Sequence, residues 1–154
     1  MVSLEKEASL LDAISVSEGS WQQGWPKAHI EICQKLKPAP YGFHATLTHP
    51  RSGLLGTWKV ILGDAASSDW QSHLKEGATH IWQDAFSPKN NPLLWSESWF
   101  KKLRDVAQPK CIIMTYSVAR VVRDAMAASG FKVERIPALG VKKHWLKGYL
   151  ESEV

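Results

Sequence analysis

An α/β layered fold is predicted by three features: apolar runs that alternate with amphipathic stretches from residue 78 onward, proline and glycine marking their boundaries, and acidic residues just past the apolar runs. Thr79 to Phe86 (THIWQDAF) predicts a short buried strand ending near Asp84, and Pro88 and Pro92 break the segment after it. Residues 95–107 place Trp95, Trp99, Leu103 and Val106 at intervals of three or four, one apolar helical face, with Ser96 and Ser98 near the start. Lys110 to Tyr116 (KCIIMTY) holds an unbroken apolar run and predicts a central strand. Residues 118–129 predict a helix stopped at Gly130, and Phe131 to Ile136 a further strand. His144 to Leu150 then predicts a last, antiparallel strand at the sheet edge, after the loop Pro137 to Lys143. The carboxyl half is thus β-α-β-α-β-β.

The amino half is patterned more weakly. Val2 to Glu5 fits the end of a strand, Lys6 to Ile14 a helix, and Pro26 to Lys37 a second helix with Pro26 in its first turn. Residues 43–49 (FHATLTH) and 57–62 (TWKVIL) predict a hairpin around Pro50 to Gly53. With no internal repeat and no low-complexity linker, a single domain over residues 1–154 is expected.

Composition narrows the function classes. A hydrophobic fraction of 44% and a charged fraction of 22% are those of an ordinary globular chain. A net charge of +4 suits a partner made of phosphates but falls well short of a dedicated nucleic-acid-binding domain. No apolar stretch approaches the ~20 residues of a membrane span, and no basic segment leads into an apolar one at the start, so a chain neither secreted nor membrane-embedded is expected. Cys33 and Cys111 lie in apolar neighbourhoods without C-x-x-C spacing, which predicts buried free thiols in a reducing, cytoplasmic compartment. The six histidines lack H-x-x-x-H or H-E-x-x-H spacing, so no catalytic metal is expected. A G-x-S-x-G elbow and a glycine-rich phosphate loop are both missing, against hydrolase and nucleoside-triphosphatase chemistry. Eight Trp is a high count, read chiefly as core.

Glu5, Asp64 and Asp84 each fall at or just past the carboxyl end of a predicted strand. Open α/β sheets bind ligands there, where three carboxylates can meet hydroxyls, an exocyclic amine and a positive centre. The plainer alternative is that each simply caps a helix N-terminus.

Gln83 to Trp95 (QDAFSPKNNPLLW), Thr115 to Phe131 (TYSVARVVRDAMAASGF) and Gly140 to Lys143 (GVKK) together resemble the methyltransferase domain of the MnmC family, which makes 5-methylaminomethyl-2-thiouridine in tRNA. Ser3-Leu4-Glu5-Lys6 resembles that family's second-strand motif, and Leu62-Gly63-Asp64 its Gly-Asp motif after the third strand. The resemblance implies a Rossmann-like, mostly parallel sheet with an antiparallel last strand, S-adenosylmethionine (SAM) as methyl donor, and tRNA as partner. It also implies residue roles. Glu5 would hold the ribose hydroxyls, Asp64 with Gly63 would meet the adenine, and Asp84 would face the methyl donor and the incoming amine. Phe86, Pro88 and Trp95 would shape the substrate pocket. Lys142 and Lys143, in the loop before the last strand, are either tRNA phosphate contacts or a solvated loop. Arg120 and Arg123 are expected on the surface. A carboxyl group of ordinary acidity, pKa ~3.9, is roughly 4–6 units too acidic to take a proton outright from an amine of pKa about 8–10. Asp84 is therefore expected to orient the amine and stabilise its developing charge.

The family's first strand and its glycine-rich turn would precede Ser3, and that segment is not in the chain. In this class the strand is central, so self-association, a swapped element, or a longer version of the protein is expected to complete the sheet. The family's Lys before Asn-Pro is Asn90 here, and its basic-acidic pair is Lys143-His144. Two functions stay open at this point: a SAM-dependent methyltransferase, on tRNA or another amine, and a binding module that has lost catalysis.

Overall fold

The computed structural model describes residues 1–10, 13, 24–138 and 143–151, which form two compact units, Met1–His73 and Leu74–Val154. In the first unit, strands β1 (Val2–Glu5), β2 (Lys37–Ala39), β3 (Gly42–Thr48) and β4 (Leu55–Leu62) form a sheet in the order β1-β4-β3-β2, with helix α1 at Lys27–Gln34. β1 runs parallel to β4 with Glu5 opposite Leu62, while β3 pairs antiparallel with both β2 and β4. The predicted hairpin is β3–β4, closed by the His49 amide donating to Leu54 and the Gly53 amide to His49. Alternation along β3 buries Phe43 and Ala45, which pack with Leu36 and Val60 into the core of this unit.

Helix α1 is shorter than predicted. Pro26 is its N-cap, not a first-turn residue, and Lys37 belongs to β2, where it pairs with His44. Strand pairing there outweighs helical periodicity. Of the helix predicted over 6–14, residues 8–10 and 13 are helical, and 11, 12 and 14 lie outside the described residues.

The second unit contains β5 (Ala78–Gln83), a 3-10 turn at Pro92–Trp95, α2 (Glu97–Asp105), β6 (Ala107–Thr115), α3 (Arg120–Ala128), β7 (Lys132–Pro137) and β8 (His144–Tyr149). The β-α-β-α-β-β order is as expected. α2 begins two residues later than predicted because Ser96 caps it, its hydroxyl accepting from the Trp99 amide at 3.2 Å. β6 begins earlier, at Ala107, through a bulge where Lys110 takes φ 65° beside Pro109, which has no amide to donate.

Three sheet expectations are corrected. The structure is not mostly parallel: β1–β4 and β5–β6 are parallel, whereas β2–β3, β3–β4, β6–β8 and β7–β8 are antiparallel. β8 is not an edge strand, since the order β5-β6-β8-β7 puts it inside. Its Leu146 and Gly148 are buried, and a Cβ on Gly148 would lie 2.7 Å from Ile113 and 2.9 Å from Met126, so only glycine fits this crowded interior. β7, with charged Glu134 and Arg135, takes the edge instead. β5 is not a buried strand. It sits at the other edge, and Trp82 is 66% exposed.

One face of this second sheet, carrying Gln83, Cys111, Ile113, Thr115 and Leu146, is buried on the same side as Trp99, Phe100 and Leu103 of α2 and Val122 and Met126 of α3. The opposite face carries Trp82 and Trp145, stacked edge to face at 5.9 Å, with Lys147 and Tyr149. Of the tryptophans, Trp70, Trp95 and Trp99 are core, whereas Trp25 and Trp82 are exposed. Cys111 is buried, but Cys33 is only half-buried, and burial raises both thiol pKa values, which keeps them protonated and poorly reactive. Among the described residues, no helix is long and apolar enough to cross a membrane.

Candidate active site

In the first unit the parallel pairing of β1 and β4 brings Glu5, Gly63 and Asp64 to one end of the sheet. The Gly63 amide donates to the Glu5 carbonyl at 2.9 Å. Gly63 has φ 134°, a conformation that side chains strongly disfavour, so glycine is what lets the chain turn here directly after β4. Asp64 organises the turn after it: its Oδ1 accepts from the Ala66 amide at 2.9 Å, and its carbonyl accepts from the Ser67 and Ser68 amides. Trp70, buried, donates its indole N–H to the Ala65 carbonyl at 3.0 Å and holds this turn from below.

The Glu5 carboxylate is partly engaged. Its Oε1 accepts from the Lys6 and Glu7 amides at 2.7 and 3.0 Å, both ahead of the helical residues 8–10, so it holds the turn after β1 and caps no helix amide. A carboxylate offers about four acceptor sites, which leaves capacity for a ligand's hydroxyls. Asp64 Oδ2 lies 3.6 Å from Lys6 Nζ in an exposed pair, which solvent screening leaves weak.

In the second unit Asp84 comes directly after β5 and is exposed. The residue before it, Gln83, is buried and anchored at both ends of its amide: Nε2 donates to the Leu94 carbonyl at 2.7 Å and Oε1 accepts from the Trp99 indole at 3.0 Å. Behind the turn, Tyr116 donates to the Ala85 carbonyl at 2.8 Å, and Trp95 donates to the Phe86 carbonyl at 2.6 Å. Tyr116 holds its proton above the usual tyrosine range, first because burial disfavours the phenolate and second because Asp84 is a nearby negative charge. It therefore remains a donor across the ordinary pH range.

The predicted pocket residues separate into two kinds. Phe86 is 79% exposed and presents its ring outward, and Pro88 is half-buried beside it in sequence. Trp95 is 2% exposed, with its ring packed inside and its indole N–H donating to the turn. Lys143 is exposed, and because β8 runs antiparallel to β6 it lies at the same end of the sheet as Asp84 and Tyr116. Lys142 lies outside the described residues. Arg120 and Arg123 are surface residues paired with Asp124. Gln83 and Tyr116 do not stand out in the sequence. A polar residue at the end of an otherwise apolar run, which both are, is the signal that points to them.

Glu5, Gly63 and Asp64 are thus assembled within the first unit, and Asp84, Phe86, Pro88, Trp95 and Lys143 within the second.

Residues 32–151 match the S-adenosyl-L-methionine-dependent methyltransferase family. The chain is 32% identical over 134 residues to the tRNA 5-methylaminomethyl-2-thiouridine biosynthesis bifunctional protein MnmC of Hahella chejuensis, covering 85% of this chain and 21% of that protein. It is 36% identical over 100 residues to the MnmC of Leptospira interrogans, covering 62% of this chain and 15% of that one. The crystal structure of MnmC2 from Aquifex aeolicus superimposes with a TM-score of 0.66 at 24% identity, covering 99% of this chain and 44% of that chain, a likeness of fold. The chain therefore spans about a fifth of the length of the bifunctional relatives it matches. From the match over most of its length, the chain belongs to the S-adenosyl-L-methionine-dependent methyltransferase family and is MnmC-like within it.

Proposed function

We propose that this chain transfers a methyl group from SAM to the aminomethyl group of a modified wobble uridine in tRNA. The observation that carries the reading is Asp84: an exposed carboxylate in a rigidly held turn, at the carboxyl end of a parallel strand pair, beside an outward-facing aromatic ring. The names of the relatives supply the substrate class.

SAM, when bound, supplies an electrophilic methyl group on a sulfonium centre. The residues present fit such a ligand. Glu5 has acceptor capacity left for ribose hydroxyls, and the family resemblance assigns Asp64 with Gly63 to the adenine. The Asp84 carboxylate accepts a hydrogen bond from the neutral amine, aligns its lone pair, and stabilises the ammonium charge that develops. Phe86 and Pro88 border the uridine, Trp95 fixes their backbone from inside, and Lys142 and Lys143 meet phosphates, contacts that weaken with salt.

Titration calorimetry with SAM tests the cofactor assignment. Saturable binding is expected, weakened about tenfold or more by Glu5→Ala, as for loss of hydrogen bonds to a charged acceptor. No binding at millimolar SAM would favour the alternative of a binding module without catalysis.

A further inference from the structure

The turn that carries Asp84 is fixed on both sides. Upstream, Gln83 is held in the ladder opposite Thr115 and anchored by its own amide group. Downstream, the next two carbonyls are each claimed by an aromatic donor, Ala85 by the Tyr116 hydroxyl and Phe86 by the Trp95 indole. The two rings meet edge to face, with centroids 5.8 Å apart and planes at 81°, so each orients the other. Trp95 arrives on the 3-10 turn before α2 and Tyr116 just past β6, so two separate elements converge on one short turn. Each of these bonds goes to a loop carbonyl outside every ladder.

We propose that Tyr116 and Trp95 are positioning residues that hold the Asp84 turn in a single geometry, aiming its carboxylate at the substrate amine without touching it. The proposal rests on the reading of Asp84 as the orienting carboxylate. Displacing a reacting group by about 1 Å is enough to cost roughly a hundredfold in rate, so a turn set by two hydrogen bonds controls the rate of transfer. The late ionisation of Tyr116 keeps the donor intact throughout.

Tyr116→Phe removes only the hydroxyl and keeps the ring pair. In the full chain, ¹⁵N relaxation is expected to show residues 84–86 becoming mobile while β5 and α2 stay rigid, and single-turnover methyl transfer to slow about tenfold with KM for SAM unchanged. Trp95→Phe is expected to loosen Phe86 in the same way, and Tyr116→Phe carries the test alone if that variant unfolds. A turn as rigid as wild type in Tyr116→Phe overturns the proposal, and so does a mobile turn that transfers methyl at the wild-type rate. A mobile turn in a chain whose wild type transfers no methyl refutes the role given to Asp84 and leaves the turn-holding role of Tyr116 supported.

Discussion

Replacing Asp84 with Asn is expected to slow single-turnover methyl transfer at saturating SAM by about 10²–10³-fold while leaving the melting temperature near that of the wild type. The side chain is exposed and makes no hydrogen bond to the fold among the described residues, so stability has little to lose. The amide keeps the shape but loses the negative charge. Without that charge the amine keeps a hydrogen-bond acceptor but loses the stabilisation of its developing ammonium, so the rate falls even with SAM saturating. Full activity in this variant, measured with labelled SAM and saturating tRNA, would show that the carboxylate has no part in the transition state.

Truncating Phe100 to Ala is expected to lower the unfolding free energy by about 3–5 kcal/mol, read from the midpoint of urea denaturation. Phe100 is wholly buried on α2, one residue from Trp99, which secures Gln83 ahead of the Asp84 turn. A cavity there removes apolar contacts from a helix of only nine residues, whose stability comes from packing rather than length. A loss below about 1 kcal/mol would mean that α2 is not packed on the sheet as described.

What the sequence reveals of this fold depends on where the information is local. The carboxyl half is legible nearly element for element because Trp99 and Leu103 mark a helical face, Ser96 marks its start, and Gly130 marks the end of the next helix, while Trp95, read on the same stripe, falls in the 3-10 turn ahead of it. Sheet order is not legible: nothing in His144–Tyr149 announces that β8 slips between β6 and β7, since the requirement for Gly148 comes from Ile113 and Met126, far away in sequence. The exposure of β5 is hidden for a related reason, because the apolar residues of THIWQDAF do not say which neighbours the strand will have. Of the residues proposed for the site, Glu5, Gly63, Asp64 and Asp84 are singled out in the sequence by their positions after apolar runs. Tyr116 is marked only as a polar residue ending an apolar run, and its hydrogen bond to the carbonyl of residue 85 is a geometry no periodicity encodes.

The most direct test of the central claim incubates the chain with isotopically labelled SAM and tRNA carrying an aminomethyl group on its wobble uridine, then applies mass spectrometry to the digested nucleosides. The expected result is label on that aminomethyl nitrogen, largely abolished by Asp84→Asn. Saturable SAM binding with no label entering that nucleoside would contradict it.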